Sequence, residues 1–297
     1  MVVETESFSS AADARPGKTD IARLVVTCPD RAGIVAAVSQ VLYGAGANIV
    51  ESQQYSTDPY GGTFFLRVEF HLSGPVEMLE RELARLADRF SMRWSLRRPR
   101  RRSRVAIMVS KADHVLREVL WRASGGELDA DIAMVISNHP DLGDVVKGYG
   151  IPFHHVPVEK GAKESAEQAQ LKLAGDVDLI VLARYMQILS PRFLSEFARP
   201  VINIHHSFLP AFAGADPYGQ AARRGVKLVG ATAHYATAEL DAGPIIEQDI
   251  VRVDHRCSVD DLKRLGRDVE RAVLARALAW HLDDRVIVHG GQTIVFA

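Results

Sequence analysis

Three residues of this chain have the types and spacing to act together on one carbonyl-like carbon: Asn203, His205 and Asp241. The first two lie in Val201-Ile202-Asn203-Ile204-His205-His206-Ser207-Phe208-Leu209-Pro210, where residues 201–204 make a short apolar run and Pro210 ends regular structure. They therefore fall at the carboxyl end of a strand, the edge where open α/β sheets bind ligands. Asp241 sits in a second loop, Leu240-Asp241-Ala242-Gly243-Pro244, between apolar segments 229–235 and 244–251. A carboxylate beside an imidazole favours its charged form and fixes its tautomer, and a neutral amide donates to a developing oxyanion without titrating. Together they suit attack on a carbonyl-like carbon. Taken singly, plainer roles stay open: Asn203 as a turn cap, His205 as a partnered histidine, Asp241 as an Asx-turn before Gly243.

The elements that must hold these residues are legible in the apolar pattern. Residues 105–109, 132–136, 179–183 and 201–204 are apolar runs, mostly continuous, as strands buried on both faces require, with helical stretches between them. This predicts a Rossmann-like, doubly wound, mostly parallel sheet over residues 105–297. Its last long element is a helix over 258–282 with Val259, Leu262, Leu265, Val269, Val273, Leu274 and Leu278 as the buried stripe.

Residues 21–97 read differently. Residues 24–28 are strand-like, Pro29-Asp30-Arg31-Ala32-Gly33 turns into a helix carrying Ile34, Val35, Val38, Val41 and Leu42, and Gly44 and Gly46 stop it. Residues 48–55 form a second strand. A third places Phe64, Leu66, Val68, Phe70 and Leu72 on one face, a helix follows with Leu79, Leu83, Leu86 and Phe90, and residues 92–96 alternate again. The order βαββαβ is ferredoxin-like, so the fold class is α/β with two domains. Residues 98–104 are an Arg-rich linker between them, since like charges repel and Pro99 resists helix; residues 1–20 lack a continuous apolar run and read as a disordered tail.

The net charge of −1 gives no electrostatic case for a nucleic-acid or membrane partner, and the Arg-rich run has no interleaved aromatics. Cys28 and Cys257, in different domains, suit a reducing, cytoplasmic setting. A metal is not expected: adjacent His205 and His206 point to opposite faces of an extended chain, and no thiolate joins them or His234.

Asn203-Ile204-His205-His206-Ser207-Phe208-Leu209-Pro210 and Leu240-Asp241-Ala242-Gly243-Pro244-Ile245-Ile246 closely resemble the catalytic segments of folate-dependent formyltransferases. Ser110-Lys111-Ala112-Asp113-His114, Val135-Ile136-Ser137-Asn138-His139, Leu182-Ala183-Arg184-Tyr185-Met186-Gln187-Ile188-Leu189-Ser190 and Gly230-Ala231-Thr232-Ala233-His234-Tyr235 are most similar to the deformylase, or hydrolase, branch of that superfamily. The resemblance implies that Asn203, His205 and Asp241 are the catalytic set and that Met186, Gln187, Ile188 and Leu189 line a pterin pocket, chiefly through main-chain groups. It implies hydrolysis of 10-formyltetrahydrofolate to tetrahydrofolate and formate, supplying formate for purine synthesis and balancing one-carbon folate pools, with the folate as substrate and no permanently bound cofactor. Relatives that pass the formyl group to a phosphorylated amine carry a Gly-rich loop where this chain has residues 110–114, which contain no glycine. Formyl transfer to an amine is the alternative, and a folate- or amino-acid-sensing module with a vestigial site is a third reading. Two positions depart from the deformylase pattern: Val115, where many have cysteine, and Gly219, where a larger polar residue is common.

Asp30-Arg31-Ala32-Gly33-Ile34-Val35-Ala36 through Gly46-Ala47-Asn48-Ile49 is similar to the start of ACT domains, which commonly bind amino acids between paired copies. The resemblance implies a regulatory or assembly domain, an effector such as glycine or methionine near Asp30, Arg31, Gly33, Ile34, Asn48 and Ile49 at one end of the sheet, and a homo-oligomer, dimer or tetramer.

Overall fold

The computed structural model describes residues 21–98, 102–211 and 216–297. The expected tail, residues 1–20, lies outside these, as do residues 99–101 of the expected linker. Contacts divide the chain into two compact units between Arg101 and Arg102.

The N-terminal unit runs β1 (Ile21–Pro29), α1 (Ile34–Gly44), β2 (Ala47–Ser56), β3 (Thr63–Leu72), α2 (Val76–Phe90) and β4 (Arg93–Arg97). Its antiparallel sheet has the order β2-β3-β1-β4. Alternation decides the faces. Leu24 and Val26 of β1 with Leu66, Val68 and Phe70 of β3 pack under Ile34, Val38 and Leu42 of α1 and Leu79, Leu83 and Phe90 of α2. The intervening residues face away from the helices, and there Arg67, fully buried, is neutralised by Glu51 and Glu69.

The C-terminal unit begins with β5 (Ser103–Val109), α3 (His114–Ser124), β6 (Ala130–Ser137), α4 (Gly143–Lys147), β7 (Phe153–His155) and α5 (Lys163–Leu173). It continues through β8 (Leu179–Leu182), α6 (Pro191–Phe197), β9 (Val201–His205), α7 (Pro217–Arg224), β10 (Leu228–Tyr235), β11 (Ile245–Arg252), α8 (Val259–Leu282) and the hairpin β12 (Val286–His289) and β13 (Gln292–Val295). The seven-stranded sheet has the order β11-β10-β9-β8-β5-β6-β7, parallel from β9 to β7 and antiparallel at β10 and β11. Both faces are covered: Val105, Ile107 and Val109 of β5 join the core with α3 and α8, while Ala106 and Met108 join the core with Phe193 and Phe197 of α6. That is why these strands read as continuous apolar runs.

The charged linker is shorter than residues 98–104. Ser103 and Arg104 already belong to β5, paired with Ala130 and Asp131. Arg104 can occupy a strand because its guanidinium is 3.2 Å from Asp131 and 3.0 Å from Asp176. The long helix α8 starts at a capping box, Ser258 and Asp261 exchanging hydrogen bonds, and buries Leu262, Val269, Val273, Leu274 and Leu278. One acidic residue, Glu270, is buried in the same stripe.

Candidate active site

Strand alternation puts Asn203 and His205 on one side of β9, and the antiparallel register sets His234 of β10 directly opposite Asn203. Their side chains meet: Asn203 Nδ2 is 3.1 Å from His234 Nε2. The other ring nitrogen of His234, Nδ1, lies 3.0 Å from the Tyr235 carbonyl oxygen, so Nδ1 carries the proton and Nε2 accepts from the Asn203 amide. Burial pushes the pKa of His234 below the ordinary histidine value, which keeps that neutral tautomer.

Asp241 reaches this site from the loop between β10 and β11. Its backbone is in the left-handed region, φ 56°, where a side chain other than glycine is strained. The loop is held down on the end of β10: the Tyr235 N–H donates to the Pro244 carbonyl at 3.0 Å, and a Cβ on Gly243 would stand 1.7 Å from the Tyr235 carbonyl oxygen. Only glycine permits that approach. Asp241 Oδ1 then lies 3.3 Å from His205 Nδ1 and 3.8 Å from His234 Nε2. The hydrogen bond from His205 and the surrounding imidazoles hold the Asp241 carboxyl below its usual pKa, against the opposing effect of burial.

With Nδ1 of His205 turned to Asp241, its Nε2 is left buried without a hydrogen-bond partner. The ring of the next residue, His206, lies tilted by 39° against that of His205 at 5.2 Å between centroids, and its pKa is pushed down to about 4 by burial, then by the charges of Arg184 and His205. It is neutral at physiological pH. Asn203, His205, His206, His234 and Asp241 border a cavity of about 250 Å³. This is large enough to take part of a small organic molecule.

The loop after β8 forms another wall. Met186, Gln187, Ile188 and Leu189 all line the cavity; Leu189 is buried, whereas Met186, Ile188 and Leu240, also in the lining, are more than half exposed. Buried polar groups fix this loop. Ser110 donates its hydroxyl to Asn138 at 2.7 Å and accepts from the Met186 N–H at 3.0 Å, and Gln170 donates to the Tyr185 hydroxyl at 2.8 Å, whose pKa burial raises to about 12. Glu167 accepts from both the backbone and the hydroxyl of Ser190, the cap of α6.

Among the described residues, no group of three His, Cys, Asp or Glu side chains is arranged to hold a metal. The departures from the family pattern stand outside the cavity lining: Val115 is core, and Gly219 caps onto Asp216, whose carboxylate oxygen a Cβ would meet at 2.0 Å.

The six residues expected around an effector are not brought together in one copy. Asn48 pairs with His71, as does Ile21, whereas Ser56 and Pro29 pair with Phe64 and Thr63 at the other end of the sheet. Asn48 thus stands about 25 Å, at roughly 3.3 Å per residue, from the Pro29 end of the sheet, where Asp30, Arg31, Gly33 and Ile34 follow β1. The expectation of a single sheet end is corrected, because α1 carries the chain back along the sheet's full length before β2 starts. At its own end, Asp30 accepts from the Ser56 hydroxyl, Arg31 donates to the Arg89 carbonyl and lies 4.3 Å from the centre of the Phe90 ring, and Gly33 takes φ 93° before α1.

Sequence reasoning gave no role in the site to three of its residues. His234 was legible only through strand pairing, since nothing in its own segment marks it as facing Asn203. Arg184 sits in a recognised motif but no pattern announces its left-handed backbone, φ 63°. Glu270 carried a usable signal, an acid on the apolar stripe of α8 three residues before Val273.

The fold and site define a formyl-transferase-type catalytic unit preceded by an ACT-type unit. The formyl transferase family model matches residues 103–278 and the ACT domain model matches residues 22–87. The formyltetrahydrofolate deformylase of Mycobacterium bovis is 57% identical over 282 residues, covering 93% of this chain and 91% of that one. That of Bacillus subtilis is 55% identical over 287 residues, covering 95% and 96%. A crystal structure of a formyltetrahydrofolate deformylase from Pseudomonas syringae pv. tomato superposes with a TM-score of 0.90 at 50% identity, covering 93% of this chain and 94% of the other. The chain belongs to the formyltetrahydrofolate deformylase family.

Proposed function

We propose that this chain hydrolyses 10-formyltetrahydrofolate to tetrahydrofolate and formate, with Asn203, His205 and Asp241 as the catalytic residues. The observation that carries the reading is the Asp241–His205 pair at 3.3 Å, with the unpartnered His205 Nε2 beside a cavity bordered by apolar residues. The folate enters between residues 186–189 and 236–241, its pterin bonded by main-chain groups of Met186, Gln187, Ile188 and Leu189. Asp241, coupled to His205, orients a water and helps deprotonate it as it attacks the formyl carbon. His205 in its protonated form and the second N–H of the Asn203 amide stabilise the oxyanion. The C–N10 bond then breaks as N10 gains a proton, which balances the one lost by the water. Formate so released serves purine synthesis and balances one-carbon folate pools.

The test is formate release from 10-formyltetrahydrofolate by purified protein, with and without added amines. Stoichiometric formate that is indifferent to the amine supports hydrolysis. A formylated amine in its place makes the chain a transferase.

The N-terminal unit is an assembly and regulatory module in this reading, and the enzyme a cytoplasmic homo-oligomer, dimer or tetramer, responsive to a small amino acid such as glycine or methionine. Two observations support it. Strand β2 lies at a sheet edge with Ile49, Val50 and Tyr55 exposed, and Asp30 and Asn48 are too far apart within one copy to share a ligand. A site using both takes them from two copies. Among the described residues no helix is long and apolar enough to cross a membrane, and both cysteines are free.

A further inference from the structure

Doubly wound sheets take ligands into the crevice outside the strand ends where the winding reverses. Here that point lies between β5 and β8, since β5 leads to β6 on one side and β8 to β9 on the other. The crevice is closed. Ser110, just after β5, donates its N–H to the Arg184 carbonyl, two residues after β8, at 3.2 Å. Side chains from four elements gather beside this bridge: Glu270 of α8, 1% exposed, accepts from His114 Nε2 at 2.8 Å and from the Tyr218 hydroxyl at 2.8 Å, with Arg184 Nε 3.5 Å away.

Stability does not account for this cluster. Arg184 Nε and Nη1 are buried without hydrogen-bond partners, and its backbone is left-handed at φ 63°. Charges taken out of water in such geometry are generally no better for stability than apolar packing. Gly266 is committed to the arrangement too, because a Cβ there would stand 1.9 Å from the Tyr218 oxygen.

The cluster runs into the reacting centre. From His205 the ring of His206 follows at 5.2 Å and that of Tyr218 at 6.0 Å, and Arg184 itself borders the cavity. The cavity proposed for the folate lies along β8, β9 and β10, and the crevice that these side chains fill meets it at Arg184 and His206.

We propose that Arg184, Glu270, His114 and Tyr218 occupy the subsite an amine-bearing second substrate would need beside His205, and so reserve the formyl carbon for water. The inference rests on the hydrolase reading above and names the residues that decide its acceptor. A water needs only about 30 Å³, whereas a primary amine brings its carbon body with it. With the subsite open, the amine nitrogen bonds to the formyl carbon, the C–N10 bond breaks, and the proton lost by the amine passes through His205 to N10. The products are tetrahydrofolate and a formamide, and no formate forms.

The test follows the fate of the formyl group by mass spectrometry as glycinamide is raised. Arg184→Gly with Glu270→Ala removes the ion pair as a unit, strands neither charge, and puts glycine where φ is positive. Wild type is expected to yield formate alone at every glycinamide concentration. The double variant is expected to divert at least about a tenth of the formyl groups to N-formylglycinamide, and His114→Ala a smaller share. Formate alone from a folded double variant overturns the proposal, as does formate alone from His114→Ala should the double variant not fold. Transfer by wild type overturns it too, and so does a folded double variant that consumes no substrate, because the cluster would then belong to hydrolysis itself. Wild type that releases no formate and formylates no amine removes the hydrolase reading, and this inference with it.

Discussion

Asn203 and His234 face each other across the β9–β10 ladder with Nδ2 and Nε2 3.1 Å apart, and the Tyr235 carbonyl fixes the histidine tautomer that makes this contact a hydrogen bond. The imidazole thereby sets the direction of the Asn203 amide, which the proposed mechanism turns toward the oxyanion.

His234→Ala should free the Asn203 amide to rotate, lowering kcat by about one to two decades with KM little changed, as expected for an interaction made mainly in the transition state. His234→Gln, which restores an acceptor oxygen, should recover part of the loss. Equal kcat in wild type and His234→Ala would remove His234 from the account.

His206 makes a prediction about stability. Its folded pKa, about 4, is below the unfolded value near 6.5, so the unfolded state binds the proton more readily. The contribution is fully present above about pH 6.5 and is lost as pH falls towards the folded value, on the order of 3 kcal/mol in all. Urea unfolding at about pH 7.5 and about pH 4.5 should show a smaller acid loss in His206→Gln than in wild type. Parallel losses would mean that His206 is already protonated in the folded protein.

Much of this site is legible in the sequence because its residues sit where local signals are strong. Asn203 and His205 end an apolar run, and Asp241 lies in a Gly- and Pro-bounded loop. What stayed hidden depends on pairing between distant segments. The contact of His234 with Asn203 needs the β9–β10 register, and the separation of Asn48 from Asp30 needs the β1–β3–β2 register. Motif spacing reports neither. Glu270 was masked differently, by a helix stripe whose remaining members are the apolar or small residues of the core.

The edge strand β2 predicts assembly. Sedimentation velocity over micromolar concentrations should show a homo-oligomer, and Val50→Lys on the exposed edge should weaken it, since an unpaired apolar edge is a ready pairing surface. Any effect of glycine or methionine on turnover, on the order of 1–3 kcal/mol of coupling, should disappear with the oligomer. A wild-type monomer throughout would contradict this.

The pairing of Asp241 with His205 is tested most directly by Asp241→Asn, measured for folate binding and for single-turnover formate release on the same preparation. The account predicts an intact fold, tetrahydrofolate affinity within about threefold of wild type, and a rate lower by about two to four decades. A rate close to that of wild type would contradict it.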